Sequence, residues 1–561
     1  MSSRRFSDVA VIADAHFHDL SANFCLPGKT SASEGMSLRS WGDTRQSTRV
    51  FNESVRALTA ALAEVARRQI RHVVLLGDYT DDGQKTTTAT LAEILKRHRE
   101  THGTAFYALP GNHDIFGPRG RHHTKEFLTG NGNIILVSSD DKLSGPGVVI
   151  NDAMYCAGYP EGLAPMSEFG YFRRPEYLHW ESPFGKSDRP ADRFYDIASP
   201  DGCNQYRLMD ASYLVEPEEG LWLLMIDANV FEPLDGFFER GEEAAFTDST
   251  AGGWNAMLRS KPFILSWMSD IARRARLLSK TLLTFSHYPV LDPFDGAAEA
   301  ERFLFGETNV VRRTPRQSVQ EAFLAAGIEV HFSGHLHVEG FTRRARGNRS
   351  ITNIAVPSLV AFPPAFKVVA PSSDRISTET IELSSILVDD AILDAYRADA
   401  VSRNESSDRA FAAKNYGEFL QAHKRALVAN RYFVKEWPAS IADSIAVMNV
   451  WEAAYWVAEA QPALDAGMIE FAKRLPMTEL IADWYCLRQG AQLAIGHLGN
   501  DRIALYRQLA DCCGSRPQAH DGSTRGFLAV FFGALGSFLE RAQNAGTEAA
   551  IAFAAADRIS A

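Results

Sequence analysis

The stretch Leu109-Pro110-Gly111-Asn112-His113-Asp114 follows directly on Ala105-Phe106-Tyr107-Ala108, an apolar run that reads as a buried strand. Polar and conformationally special residues at the end of a buried strand make a loop that presents side chains instead of burying them. Asn112 offers a carbonyl oxygen to a metal, and His113 a nitrogen that titrates near neutral pH. Asp114 is a carboxylate able to fix the tautomer of an imidazole. The meaning of this loop depends on what the other strands end in.

Four other apolar runs end in similar groups. Val9 to Ala13 leads into Asp14-Ala15-His16, and Val73-Val74-Leu75-Leu76 into Gly77-Asp78-Tyr79-Thr80-Asp81-Asp82-Gly83. Thr281 to Phe285 leads into Ser286-His287, and Ile328 to Phe332 into Ser333-Gly334-His335-Leu336-His337. Helical patterns separate them, at about 51–68, 86–100, 262–278 and 316–326. Further strands are expected at Ile134 to Val137, Met154 to Ala157, Leu221 to Ile226, and around 349–356 and 379–388. The alternation predicts an α/β fold, and strand ends on one edge of such a sheet converge on a common crevice.

Bulk properties limit the alternatives. A chain of 561 residues is too long for one core. Beyond Asp389 the composition turns alanine-rich and loses strand signals, so 1–388 reads as an α/β domain and 389–561 as a helical one. Ile441, Ile445, Met448 and Tyr455 mark one helical face there. The stretch from Phe527 to Leu539, interrupted by Gly533 and Gly536, reads as a core helix too short for a bilayer. A net charge of -11 argues against a broad nucleic-acid surface. Six cysteines without CxxC spacing fit a reducing compartment, and no apolar leader follows Arg4-Arg5, so a cytoplasmic protein without membrane segments is expected.

The mixture of imidazoles, carboxylates and an amide oxygen favours divalent transition metals. There are ligands enough for two ions, with Asp78 as the natural bridge. Ions roughly 3.5–4 Å apart clamp a phosphoryl group for in-line displacement.

In their order, DxH (Asp14, His16), GDxxDxG (Gly77 to Gly83), GNHD (Gly111 to Asp114), a lone histidine (His287) and GHxH (Gly334 to His337) resemble calcineurin-like metallophosphoesterases over about residues 8–360. The resemblance implies a four-layer α-β-β-α sandwich, here followed by an all-α C-terminal domain. It implies one metal on Asp14, His16, Asp78 and His337, and a second on Asp78, Asn112, His287 and His335. His113 would contact the phosphate and protonate the leaving oxygen, oriented by Asp114. The two divalent ions would be manganese, iron or zinc, with manganese expected to serve in assay. Phe17 and the long Leu20–Arg49 connection look more narrowly like class III cyclic-nucleotide-type phosphodiesterases. The expected function is therefore a phosphodiesterase acting on a small phosphate ester such as a nucleotide, with a metal-bridging hydroxide attacking phosphorus in line. Rival readings are a phosphomonoesterase or nucleotide pyrophosphatase, and a non-catalytic scaffold of the same fold. The helical domain would cap the site, bind a partner or make a homo-oligomer.

Other polar residues receive plainer readings. His122 and His123 read as solvated, His331 as a satisfied core residue, and Asp81 and Asp82 as caps of their turn. Arg39, Arg45 and Arg49 bind substrate anions or simply face solvent, and Tyr288 stacks on substrate or packs. No role is read for His18 and Asp19.

Overall fold

Leu221-Trp222-Leu223-Leu224-Met225-Ile226 contains no polar residue because both its faces are buried. Leu221, Leu223 and Met225 point into the core between two sheets, while Trp222, Leu224 and Ile226 lie under an outer helical layer with Ile264, Met268, Ile271 and Phe323. In the computed structural model, which describes residues 4–24, 26, 36–129, 133–239, 241–459, 461–515, 523–545 and 550–553, this strand belongs to a seven-stranded sheet. Its order is Gly340–Arg346, Arg349–Ala355, Val330–Ser333, Thr281–Ser286, Leu221–Ile226, Tyr213–Glu218, His179–Glu181.

A six-stranded sheet faces it, in the order Ala550–Ala552, Arg375–Glu382, Ala365–Pro371, Val9–Ile12, His72–Leu76, Ala105–Leu109. Val9–Ile12, His72–Leu76 and Ala105–Leu109 run parallel, as do Leu221–Ile226, Thr281–Ser286 and Val330–Ser333. All five ligand-bearing loops therefore leave the carboxyl ends of parallel strands. Ser54–Arg67 and Lys85–His102 connect the strands of the first sheet, and Pro262–Leu277 and Gln317–Ala326 those of the second. The expected α-β-β-α layering is present.

Several expectations shift. The strand expected at 379–388 is instead a hairpin of Ala365–Pro371 and Arg375–Glu382. Lys367 disguised its first arm, since this lysine is buried and satisfied by Glu339 Oε1 at 2.7 Å. Around 154–157 only Cys156–Ala157 is strand, because the Asn151 side chain caps a 3-10 turn over Asp152–Met154. The face expected from Ile441 to Tyr455 is split into Ala439–Ala446 and Val450–Ala458 by a capping box between Asn449 and Glu452, which leaves Tyr455 52% exposed. Within the Leu20–Arg49 connection, residues 25 and 27–35 lie outside the described residues, and Trp41–Thr44 is a short helix.

Helices begin again at Asp390, where the Asp389 side chain accepts from the Ala391 amide. The Phe527–Leu539 reading corresponds to the helix Thr524–Ala545. Its Gly533 lies so close to the segment ending at Ser515 that a Cβ there would collide with the Ser515 carbonyl. Among the described residues the regular elements of this C-terminal region are helical apart from Ala550–Ala552, which pairs with Arg375–Glu382. None of the described helices is long and apolar enough to cross a membrane.

The helical region shares its core with the sandwich. Trp41, 1% exposed, packs on Tyr396, Phe411 and Phe419, with its backbone amide held by Asp399 at 2.9 Å. Trp41→Ala is expected to cost about 3–5 kcal/mol, typical for a large buried aromatic. That loss should appear as a lower melting temperature at equal metal loading, and an unchanged melting temperature would mean that this contact does not join the two regions.

Candidate metal centre

The loops that carry the ligands adopt backbone conformations that L-residues avoid. Asp14 (φ 49°), His16 (φ 38°), Asp78 (φ 48°), His335 (φ 70°) and His337 (φ 54°) all lie in the left-handed region. Strain of this kind gathers at functional sites, where surrounding bonds impose it. Here the Asp14 amide donates to Gly77 O at 3.1 Å and the His16 amide to Asp78 O at 2.8 Å. Gly334 passes its amide to His287 O at 2.9 Å. Two glycines allow the loops to close together, since a Cβ at Gly111 would collide with the Asp78 carboxylate and one at Gly334 with that of Asp14.

The side chains gather into two buried groups, Asp14–His16–His337 and Asp78–His287–His335, each with its ligand atoms within 4.8 Å of one another. His337 Nε2 lies 3.3 Å from Asp14 Oδ1 and 3.3 Å from His16 Nε2. Asp78 Oδ2 stands between the groups, 3.2 Å from His287 Nε2 and 3.8 Å from His16 Nε2. Its other oxygen accepts the His113 amide at 2.8 Å. Asn112 Nδ2 donates to Thr250 Oγ1 at 3.2 Å, while Asn112 Oδ1 and His16 Nδ1 are buried with no partner among the described residues.

These residues fit a pair of metal ions. Burial holds the pKa of His16 and of His335 well below the ordinary imidazole range, so both rings are neutral and offer lone pairs. Burial opposes the charging of His287, but the Asp78 carboxylate prevails and raises its pKa to about 9; with Nδ1 facing the Leu76 carbonyl at 3.0 Å, Nε2 is the nitrogen that would give up its proton to a metal. A buried amide oxygen with nothing to accept from is otherwise costly. The seven sequence-derived ligands, Asp14, His16, Asp78, Asn112, His287, His335 and His337, thus lie in one place.

The pair His113 and Asp114 comes apart. Asp114 turns to the backbone, accepting from the amides of Gly111 (2.8 Å) and Thr80 (2.9 Å) and from Thr80 Oγ1 (2.8 Å). It ties the Gly111–Asp114 loop to the Gly77–Gly83 loop and does not touch His113. The His113 Nδ1 partner is Asp82, itself bound by Lys125, with Arg49 Nη2 also 3.4 Å from that nitrogen. Asp81 takes Arg39 at 3.0 Å and Arg49 at 2.9 Å. Asp81 and Asp82, expected to bond their own turn or a water and left out of the catalytic set, are therefore the carboxylates that organise the cations and the histidine. Two adjacent acids followed by glycine were the available signal, but spacing alone does not say which way either side chain turns.

The remaining candidates settle more simply. Tyr288 packs, its hydroxyl donating to Ser249 O at 2.8 Å. His331 is satisfied by Ser286 Oγ and Asn353 Oδ1, both at 2.8 Å. His18 Nε2 donates to Ser37 O at 2.8 Å, and Asp19 accepts from Ser21 and Thr90. Arg45 pairs with Glu405 of the helical region at 2.7 Å. The metal centre opens into a cleft of about 510 Å³ whose walls include Arg121, Lys125 and Thr250, and across it Arg431, Lys435 and Arg488. Sequence reading assigned none of these to the site.

The sequence model of the family described as calcineurin-like phosphoesterase matches residues 8–339. The chain belongs to that family. Among solved structures, a dimetal phosphatase from Danio rerio is similar at 14% identity and a TM-score of 0.36, covering 67% of this chain and 96% of its own. No curated protein matches. The phosphoesterase domain accounts for every strand end that carries a ligand, since all lie within the matched residues.

Elemental analysis after dialysis gives a direct check. Asp78→Ala, which removes the carboxylate shared by both groups, is expected to retain fewer than about one ion per chain, and His337→Ala about one. Asp114→Asn should keep both ions while lowering the melting temperature. Full metal content in Asp78→Ala would contradict the bridging role.

Proposed function

We propose that the chain is a dinuclear metal-dependent phosphodiesterase, with residues 1–388 as its catalytic domain, 389–561 as a helical domain and the cytoplasm as its compartment. The observation that carries this reading is the Asp78 carboxylate, set between two buried ligand groups and holding the amide of His113. Bound divalent ions, manganese foremost in assay, would supply Lewis acidity and a nucleophilic oxygen for displacement at phosphorus. Asp14, His16, Asp78 and His337 would hold one ion, and Asp78, Asn112, His287 and His335 the other. A cleft of about 510 Å³ has room for substituents on both sides of a phosphorus atom, which favours a diester.

His113 takes the proton chemistry. It stands outside both ligand groups, its ring 5.0 Å from that of His16. Burial, then the nearby Arg49 guanidinium, pushes its pKa down to about 4, so the free ring is neutral at pH 7. An anionic phosphate bound beside it favours the protonated form, as does the Asp82 carboxylate on Nδ1. His113 thus becomes an effective acid only in company with its substrate, delivering a proton to the leaving oxygen.

His113→Ala, with metals retained, is expected to slow an unactivated diester by about 10²–10⁴-fold. The same variant should affect a bis-nitrophenyl ester far less, because nitrophenolate leaves without a proton. For the unactivated diester, turnover should fall as pH rises through the pKa of His113 in the complex. Equal losses on both esters would remove His113 from the acid role, and a preference for monoesters across a substrate panel would sink the diesterase reading.

A further inference from the structure

Most cations around the cleft are already neutralised. Arg39 and Arg49 belong to Asp81, Lys125 to Asp82, Arg121 to Asp248 at 3.1 Å, and Arg488 to Glu301 at 2.9 Å. Three are different. Arg313, Arg431 and Lys435 line the same cleft, and among the described residues no carboxylate lies within ion-pair distance of any of them. Arg313 stands beside the second ligand group, and its Nε is buried without a partner. Arg431 spends one nitrogen on the Gln46 carbonyl at 2.8 Å and keeps its remaining donors free. Lys435, one helical turn further on and exposed, completes the wall that the helical region sets opposite the metals. Glu436, the carboxylate that the described part of that region adds to the lining, lies close enough for the charges of Arg431 and Arg313 to act on it but forms no ion pair with either.

Guanidinium donors left unfilled next to a metal centre are expensive unless an anion completes them. The ions and His113 would take up a scissile phosphoryl group, which leaves these three cations for a further anion. We propose that Arg313, Arg431 and Lys435 form a second anion subsite, so that the substrate is a phosphate ester bearing a second phosphate beyond the scissile one. This rests on the phosphodiesterase reading for the chemistry, but its binding prediction does not. Arg431 and Arg313 would grip phosphate oxygens through their forked donors, and Lys435 would act as a point charge at the mouth. The helical region would thereby select the substrate as well as close the cleft.

The test is calorimetric titration of the full, manganese-loaded chain with thymidine 3′,5′-bisphosphate and with thymidine 5′-monophosphate. Wild type is expected to bind the bisphosphate about tenfold more tightly, a gap that shrinks as salt is raised. In Arg431→Ala/Lys435→Ala the ratio of the two dissociation constants should fall close to one. Lys435→Glu, a change at an exposed position, should lower it as well. A wild-type ratio near one, or a ratio kept in both variants, overturns the subsite. Hydrolysis of bis(p-nitrophenyl) phosphate by the same preparations reports separately on the reaction. A retained ratio without turnover sinks the phosphodiesterase reading and supports the subsite, and turnover with a ratio of one does the reverse.

Discussion

Asp78 reaches from the end of a strand in one sheet to His287 at the end of a strand in the other, across 3.2 Å. That contact exists only if the two sheets are held at one spacing, and the residues between them hold it. Leu223, Met225, Phe285 and Phe332 from one sheet and Val9, Val11 and Phe366 from the other fill a single close-packed core. Protein interiors of this density deform little, so the strand ends above them keep their mutual positions. The left-handed backbone at Asp14, His16, Asp78, His335 and His337 costs roughly 1–3 kcal/mol per residue. Hydrogen bonds between the loops and the rigid sandwich beneath sustain it.

Above that base lies a set of buried charges. Asp81 is held well below the usual carboxylate range, burial opposing and Lys125, Arg49 and Arg39 prevailing. Lys125 is pushed down to about 8 by burial. Arg39 also stacks over the Phe51 ring, its guanidinium carbon 4.1 Å from the centroid. Such a network is weak evidence for stability, because desolvation offsets most of its attraction. Its effect is to fix where Arg49 and Asp82 stand, and both touch the ring of His113.

The helical region is bound into this arrangement from several sides. Trp41 of the sandwich lies in a pocket of Tyr396, Phe411 and Phe419, Arg488 is buried against Glu301, and Glu339 donates its amide to Gln489 O at 2.7 Å. The change of composition near Asp389 is therefore a boundary in secondary structure with no matching boundary in the core. The strand Ala550–Ala552 makes the same point, since it returns to complete the edge of the first sheet.

The sequence by itself determined the strands with two apolar faces, the helices between them and which seven candidate ligands would cluster. Each of these is local: a run of side chains sets burial, and a strand end sets which groups reach the crevice. The partner of His113 was not legible, because Asp82 and Asp114 are both short carboxylates near the same loops and only packing decides that Asp114 faces amides. Nor was the cationic wall, where Arg431 and Arg313 stand more than a hundred residues apart in sequence and share a cleft only after the helices dock. Lys367, buried against Glu339, hid a strand for the same reason: a charge is compatible with a core once a distant partner neutralises it. Which side chains meet across the chain was decided by the tertiary structure alone, because contact between remote residues depends on the packing of whole elements rather than on any local pattern.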